Sequence, residues 1–177
     1  MLIQHILQSG KTLQIKGTAG SGKTHFLKLL LKEALSQKQF EKIEIFSMCK
    51  EEWKEFEKKE NVEHIHLTEF MQRKISEETQ GFPKLIIVDG FSEICELEDD
   101  FIKAKDFKER EEFLKNYILK SSRTAHHKVI VSDQTRFLEL PSQKISFNIQ
   151  EGLKKRGHFI FEEEISMDEV EGRVHHV

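Results

Sequence analysis

The sequence predicts an α/β fold of three layers, a mostly parallel sheet flanked by helices, and three observations lead there. Segments of strand periodicity alternate with segments of helical periodicity along the 177 residues, the pattern of parallel strands joined by right-handed crossovers. The run "KLIIVD" is apolar without a break from Leu85 to Val88, as in a strand covered on both faces. A glycine-rich stretch, "KGTAGSGKT", stands between a strand and a helix, where loops of open α/β sheets meet their ligands. One domain spanning 1–177 is expected from the length, with roughly 70% of the unfolded surface buried.

Each element has its own justification. "TLQIKG" alternates Leu13 and Ile15 with polar neighbours and runs into the glycines, as a first strand. Phe26, Leu27, Leu30, Leu31, Ala34 and Leu35 then recur at helical spacing, with Lys28, Lys32, Glu33 and Ser36 on the other face. A second strand is expected at 42–48, and a charged surface helix at 50–61 anchored by Trp53 and Phe56. "VEHIHL" predicts a short strand, followed by a helix from Thr68 as N-cap to about Thr79. Gly81 and Pro83 stop the chain before "KLIIVD" at 84–89. Phe107, Phe113, Leu114, Tyr117 and Ile118 make the apolar stripe of a helix over 105–121. Strands at 128–134, 144–149 and 158–164 complete the sheet.

Composition narrows the function classes. The 28 basic and 31 acidic side chains leave no global positive field, so any DNA contact must be local. Cys49 and Cys95 form no C-x-x-C pair, and neither a disulfide framework nor a zinc site is supported. The pairs His64/His66, His126/His127 and His175/His176 lack partner ligands at metal spacing. No run of 18 apolar residues and no leader-like N-terminus occurs, so a cytoplasmic protein without membrane insertion is expected.

The glycine stretch carries the strongest chemical signal. Gly17, Gly22, Lys23 and Thr24 stand in the spacing G-x-x-x-x-G-K-T of the Walker A phosphate loop. Residues Gly17, Thr18, Ala19, Gly20, Ser21, Gly22, Lys23 and Thr24 are therefore the expected cradle for ATP. Backbone N–H groups would turn inward, and the helix beginning near Lys23 would add the positive end of its dipole. Lys23 would bridge the β- and γ-phosphates and the Thr24 hydroxyl would ligate Mg2+. Asp89 ends the apolar strand at the carboxyl edge of the sheet, where it could hold magnesium; the alternative is a cap on the following turn. Gly90 follows it and can polarise no water. Glu93 and Glu96 lie three and six positions on from Gly90; a helix start there could bring Glu93 back to the γ-phosphate, or leave it a solvated surface carboxylate. The cluster Lys154, Lys155, Arg156 is either a phosphate contact or a solvated turn.

The segment "RTAHHKVIVSDQ" at 123–134 resembles the motif R-x-x-G-[IL]-H and the following strand ending A-T-Q of the FtsK/HerA translocases, with Arg123 eleven positions before Gln134. "LPSQKISFNI", "LKKRGHFIF" and "GRVHHV" resemble later segments of that family. The resemblance implies a RecA-like P-loop NTPase that assembles into a homo-oligomeric ring and hydrolyses ATP to move a polymer, with DNA as cargo. It implies that Arg123 reaches a neighbouring subunit's nucleotide as a finger and that Gln134 senses the γ-phosphate. The chain also resembles the degenerate ATPase domains of type VII secretion coupling proteins, which implies as the alternative an ATP-binding module serving protein partners of a translocation or secretion complex. Without the spacing match, Arg123 would read as an exposed arginine balancing a helix end.

Overall fold

A computed structural model of the chain describes residues 2–73, 82–96, 104–148 and 160–163. Its strands are β1 (Thr12–Gly17), β2 (Lys42–Ser47), β3 (Val62–Ile65), β4 (Lys84–Asp89), β5 (His127–Asp133), β6 (Ser142–Asn148) and β7 (Ile160–Glu163). They form one sheet in the order β3-β2-β4-β5-β1-β6-β7. Six run parallel, and β7 pairs antiparallel with β6 at one edge. The mostly parallel sheet expected from the alternation of elements is the one found. Strand order is what matters for the site, because β5 lies between β1 and β4 and places its carboxyl end between theirs.

Both faces of the sheet are covered because alternate residues of its central strands are apolar on both sides. Leu85 and Ile87 of β4 join Leu13, Ile15, Ile43, Ile45 and Ile130 in a core beneath the helix α2 (Lys23–Gln37). Ile86 and Val88 point the other way, into a second core with Val129, Val131 and the helices α4 (Phe91–Glu96) and α5 (Ala104–Ser122). This is the physical meaning of the unbroken apolar run. Each such fully buried aliphatic side chain contributes roughly 1.5–3 kcal/mol over an exposed one.

Several elements depart from expectation. A helix α1 (Leu2–Gln8) precedes the first strand; its Ile6 and Leu7 are buried in the α2 core, and Gln4 Nε2 donates to Glu33 Oε1 at 3.2 Å. The charged segment from Lys50 makes a 3₁₀ helix only to Phe56, since Trp53 and Phe56, three residues apart, eclipse each other in that geometry and both reach the core. Helix α3 (Leu67–Gln72) has His66 at its N-cap position, without a side-chain bond, and Thr68 lies within it; Leu67, in its first turn, reaches the second core beside Phe70. The expected continuation of that helix to Thr79, Gly81, the cluster Lys154, Lys155 and Arg156, and His175 and His176 lie outside the described residues. Among the described residues no helix is long and apolar enough to cross a membrane.

Candidate functional site

The carboxyl ends of β1, β4 and β5 converge, and the loop 17–24 closes over them. Gly17 is required by close packing, because a Cβ there would sit 2.8 Å from the Phe147 carbonyl oxygen and 2.9 Å from Phe147 Cβ on β6. Gly20 and Gly22 are required by conformation, with φ of 75° and 98°, a region costly for side chains bearing a Cβ. Gly22 is the N-cap of α2 and supplies no side-chain bond to its first turn. The N–H groups there are left for an acceptor from outside the helix. Ser21 Oγ is buried without a partner in the same loop, so the cradle holds one unsatisfied polar group facing no protein acceptor.

Lys23 folds back over the loop, donating to the Thr18 carbonyl at 2.9 Å and to the Gly17 carbonyl. Burial lowers its pKa below the ordinary lysine value, while the charges of Asp89, Glu93 and Asp133 act in the opposite sense. An ammonium so placed is satisfied by exchangeable carbonyls and lies among carboxylates that a phosphate-bound cation would balance.

Asp89 does not cap the turn that follows it. Thr24 Oγ1 donates to its Oδ2 at 2.9 Å and is 3.2 Å from Oδ1. Trp53 Nε1 donates to Oδ2 at 3.3 Å, and Ser132 Oγ donates to Oδ1 at 3.1 Å. Burial raises the pKa of this carboxyl, opposed by those three hydrogen bonds and by the charge of Lys23. The Thr24 hydroxyl and Asp89 carboxylate are thus already in contact, 65 positions apart in sequence. One carboxylate beside one hydroxyl suits magnesium, which keeps most of its waters and takes its other ligands from phosphates.

After Asp89 the chain turns at Gly90, with φ of 84°, and α4 starts immediately, Ile94 N donating to Gly90 O at 2.9 Å. The first turn of α4 presents Glu93 to the site, where its Oε1 accepts from Gln134 Nε2 and its charge acts on Lys23. Glu96, at the end of α4, is exposed. Lys23, Thr24, Asp89, Glu93 and Gln134 are therefore gathered at one edge of the sheet.

Arg123 is not among them. It follows α5 and precedes β5, at the amino edge of the sheet, and the length of β5 puts it on the order of 20 Å from the site at about 3.3 Å per residue. There it lines a cavity of about 400 Å³ with Ser9, His126, His127 and Lys128. Lys128 is buried and bonded to the Ser9 and Lys11 carbonyls, and burial lowers its pKa to about 8. Arg123 is thus separated from the carboxyl-edge cluster by the length of β5.

Sequence reasoning missed Trp53, Ser132, Asp133 and Arg136. Ser132 and Asp133 did carry a signal: with Gln134 they are three polar residues in a row directly after "KVIV". Trp53 carried none, because it reaches Asp89 only through the pairing of β2 with β4.

No protein-family model matches the chain, and comparison with curated proteins finds no match. Among solved structures, the flagellar accessory protein FlaH from Methanocaldococcus jannaschii superposes with a TM-score of 0.50 at 14% identity, over 84% of this chain and 77% of that one. A KaiC-like protein from Pyrococcus horikoshii superposes with a TM-score of 0.55 at 12% identity, over 87% and 79%. At these identities the likeness is one of fold, and this chain shares it: a RecA-like arrangement of a mostly parallel sheet with flanking helices.

Proposed function

We propose that the chain binds ATP with magnesium and hydrolyses it, as a RecA-like domain of the FtsK/HerA kind. The contact of Thr24 with Asp89, formed beside a phosphate loop whose lysine is held at the same edge, carries this reading. Lys23 and the loop N–H groups would hold the phosphates, and Thr24 and Asp89 the metal. Magnesium, when bound, offsets phosphate charge as it develops in the reaction. Glu93 would take the proton of the attacking water, the task that Gly90 cannot perform, and Gln134 would hold Glu93 in place until nucleotide arrives.

The finer parts of the reading rest on the motif resemblance. A homo-oligomeric ring would let Arg123, which is out of reach of its own site, serve the nucleotide of a neighbour. The cargo would be DNA, by the weight of the FtsK/HerA resemblance. Gly90 favours a second reading, in which the nucleotide is held unhydrolysed and organises an interface for protein partners of a secretion or translocation complex.

ATP turnover by the purified protein, with and without double-stranded DNA, separates the two. The first reading expects turnover stimulated by DNA, lost by about 100-fold or more in Glu93→Gln while ATP binding persists. Lys23→Ala should weaken ATP binding at least tenfold. Tight ATP binding without turnover in any condition establishes the second reading, and unchanged affinity in Lys23→Ala refutes both.

A further inference from the structure

We propose that Asp133 is the positioning residue that aims Glu93 at the site, by clamping the first turn of α4 to the end of β5. The inference rests on the reading of Glu93 as the base, and it concerns how a glutamate three positions beyond Gly90 is held steady.

Three consecutive residues at the end of β5 each grip a different part of the turn after β4. Ser132 Oγ accepts from Gly90 N at 2.9 Å and donates to Asp89. Asp133 takes both donors of Ser92, its Oδ1 accepting from the backbone N at 3.1 Å and its Oδ2 from Oγ at 2.9 Å. Gln134 donates to Glu93. The contacts follow from the parallel pairing of β4 with β5, which sets Asp89 beside Ser132.

The clamp is needed because little else sets the direction of α4. A helix of six residues is too short to be stable by itself, and the glycine hinge before it tolerates many backbone conformations. Phe91, Ile94 and Cys95 anchor its apolar side. On its polar side, Asp133 holds the residue directly before Glu93. Asp133 is buried and its two oxygens are engaged by Ser92; its charge also acts on Lys23, and an uncharged variant that keeps the bond to Ser92 separates that effect from the clamp. Arg136 backs it from outside, with Nε 3.9 Å from Asp133 Oδ2, Nη2 3.0 Å from Glu111 Oε1 and its guanidinium 5.5 Å from the centre of the Phe91 ring.

The test is a double-mutant cycle read by single-turnover ATP hydrolysis and by ATP affinity. Asp133→Ala should lower the rate on the order of 10- to 100-fold, the scale of a small misplacement of a reacting group, and leave ATP affinity within about threefold. In a Glu93→Gln background the same substitution should cost nothing further, because the group it positions is gone. Asp133→Asn, which still offers Ser92 N an acceptor but carries no charge, should keep most of the parental rate. Ser92→Ala should lose part of it.

Parental rate in Asp133→Ala, a further loss on top of Glu93→Gln, or an Asn variant as slow as the Ala variant overturns the proposal. If Asp133→Ala does not fold, Ser92→Ala takes its place in the same two backgrounds: a parental rate in Ser92→Ala, or a further loss on top of Glu93→Gln, overturns the proposal, as does Asp133→Asn being as slow as Ser92→Ala. Loss of rate in Glu93→Gln with none in Asp133→Ala defeats the clamp and spares the base. A parent without turnover, or Glu93→Gln with parental turnover, ends the assignment of Glu93 and the clamp with it.

Discussion

At the scale of single residues, the site is a set of polar groups made dependent on one another by burial. Asp89 is largely removed from water and would favour its neutral form, but it accepts from Thr24, Ser132 and Trp53. The indole N–H matters because it takes a lone pair on Oδ2, the same oxygen that Thr24 contacts at 2.9 Å. Trp53→Phe keeps an aromatic ring in the α2 core and removes that bond. Supporting groups of this kind commonly set metal affinity within 10- to 100-fold. We expect the variant to need about tenfold more magnesium for half-maximal ATP binding, measured by calorimetric titration at fixed ATP. Trp53 is the chain's single tryptophan, so parental fluorescence should also change on adding magnesium and ATP. An unaltered magnesium requirement would remove Trp53 from the site.

At the scale of elements, the glycine after β4 distinguishes this turn from one bearing a glutamate. Gly90 adopts φ of 84°, and a Cβ built on it would lie 3.1 Å from Glu93 Oε2 and 3.4 Å from Glu93 Cδ. Placing the glutamate directly after the aspartate, as Gly90→Glu, therefore strains the backbone by roughly 1–2 kcal/mol. It also drives one carboxylate against another. The expected outcome is a lower midpoint in denaturant unfolding and less turnover, with no gain of function. A Gly90→Glu protein that is as stable as the parent and faster would show that the turn is not built around Glu93. The first turn of α4 and the glycine before it behave as one unit.

At the scale of the whole molecule, the loop 17–24 and Asp89 occupy the carboxyl edge of the sheet and Arg123 the amino edge. If copies stack in a ring with one edge facing the other, each contributes a loop to one interface and an arginine to the next. Arg123→Ala subunits would keep an intact ATP site but fail their neighbours, and Lys23→Ala subunits the reverse. Mixing the two should rebuild some complete interfaces and recover part of the turnover that neither has alone. No recovery in mixtures shown by sizing to contain mixed oligomers would count against the arginine. A chain that remains monomeric at high concentration with ATP would remove the premise.

What the sequence determined by itself is whatever depends on neighbours in the chain. The loop 17–24, the strand before it and the helix after it are legible because glycine spacing, alternation and helical periodicity are local properties, and "KLIIVD" is legible because four consecutive apolar residues, Leu85 to Val88, suit a strand buried on both faces. Tertiary structure decided the rest. Strand order brought β5 between β1 and β4, and only then did Ser132 and Asp133 become partners of Asp89, Gly90 and Ser92. Glu93 is an open choice in the sequence between base and surface carboxylate; the positive φ of Gly90 and the bond from Gln134 set it, exposed, at the carboxyl edge of the sheet. The 3₁₀ turn that carries Trp53 to Asp89 was read as a longer helix, because its charged pattern reports exposure and not the single side chain that the sheet draws inward. Contacts between residues 40 or more positions apart are set by which strands pair, and strand pairing minimises exposed apolar area over the whole chain, a quantity that no short stretch of sequence contains.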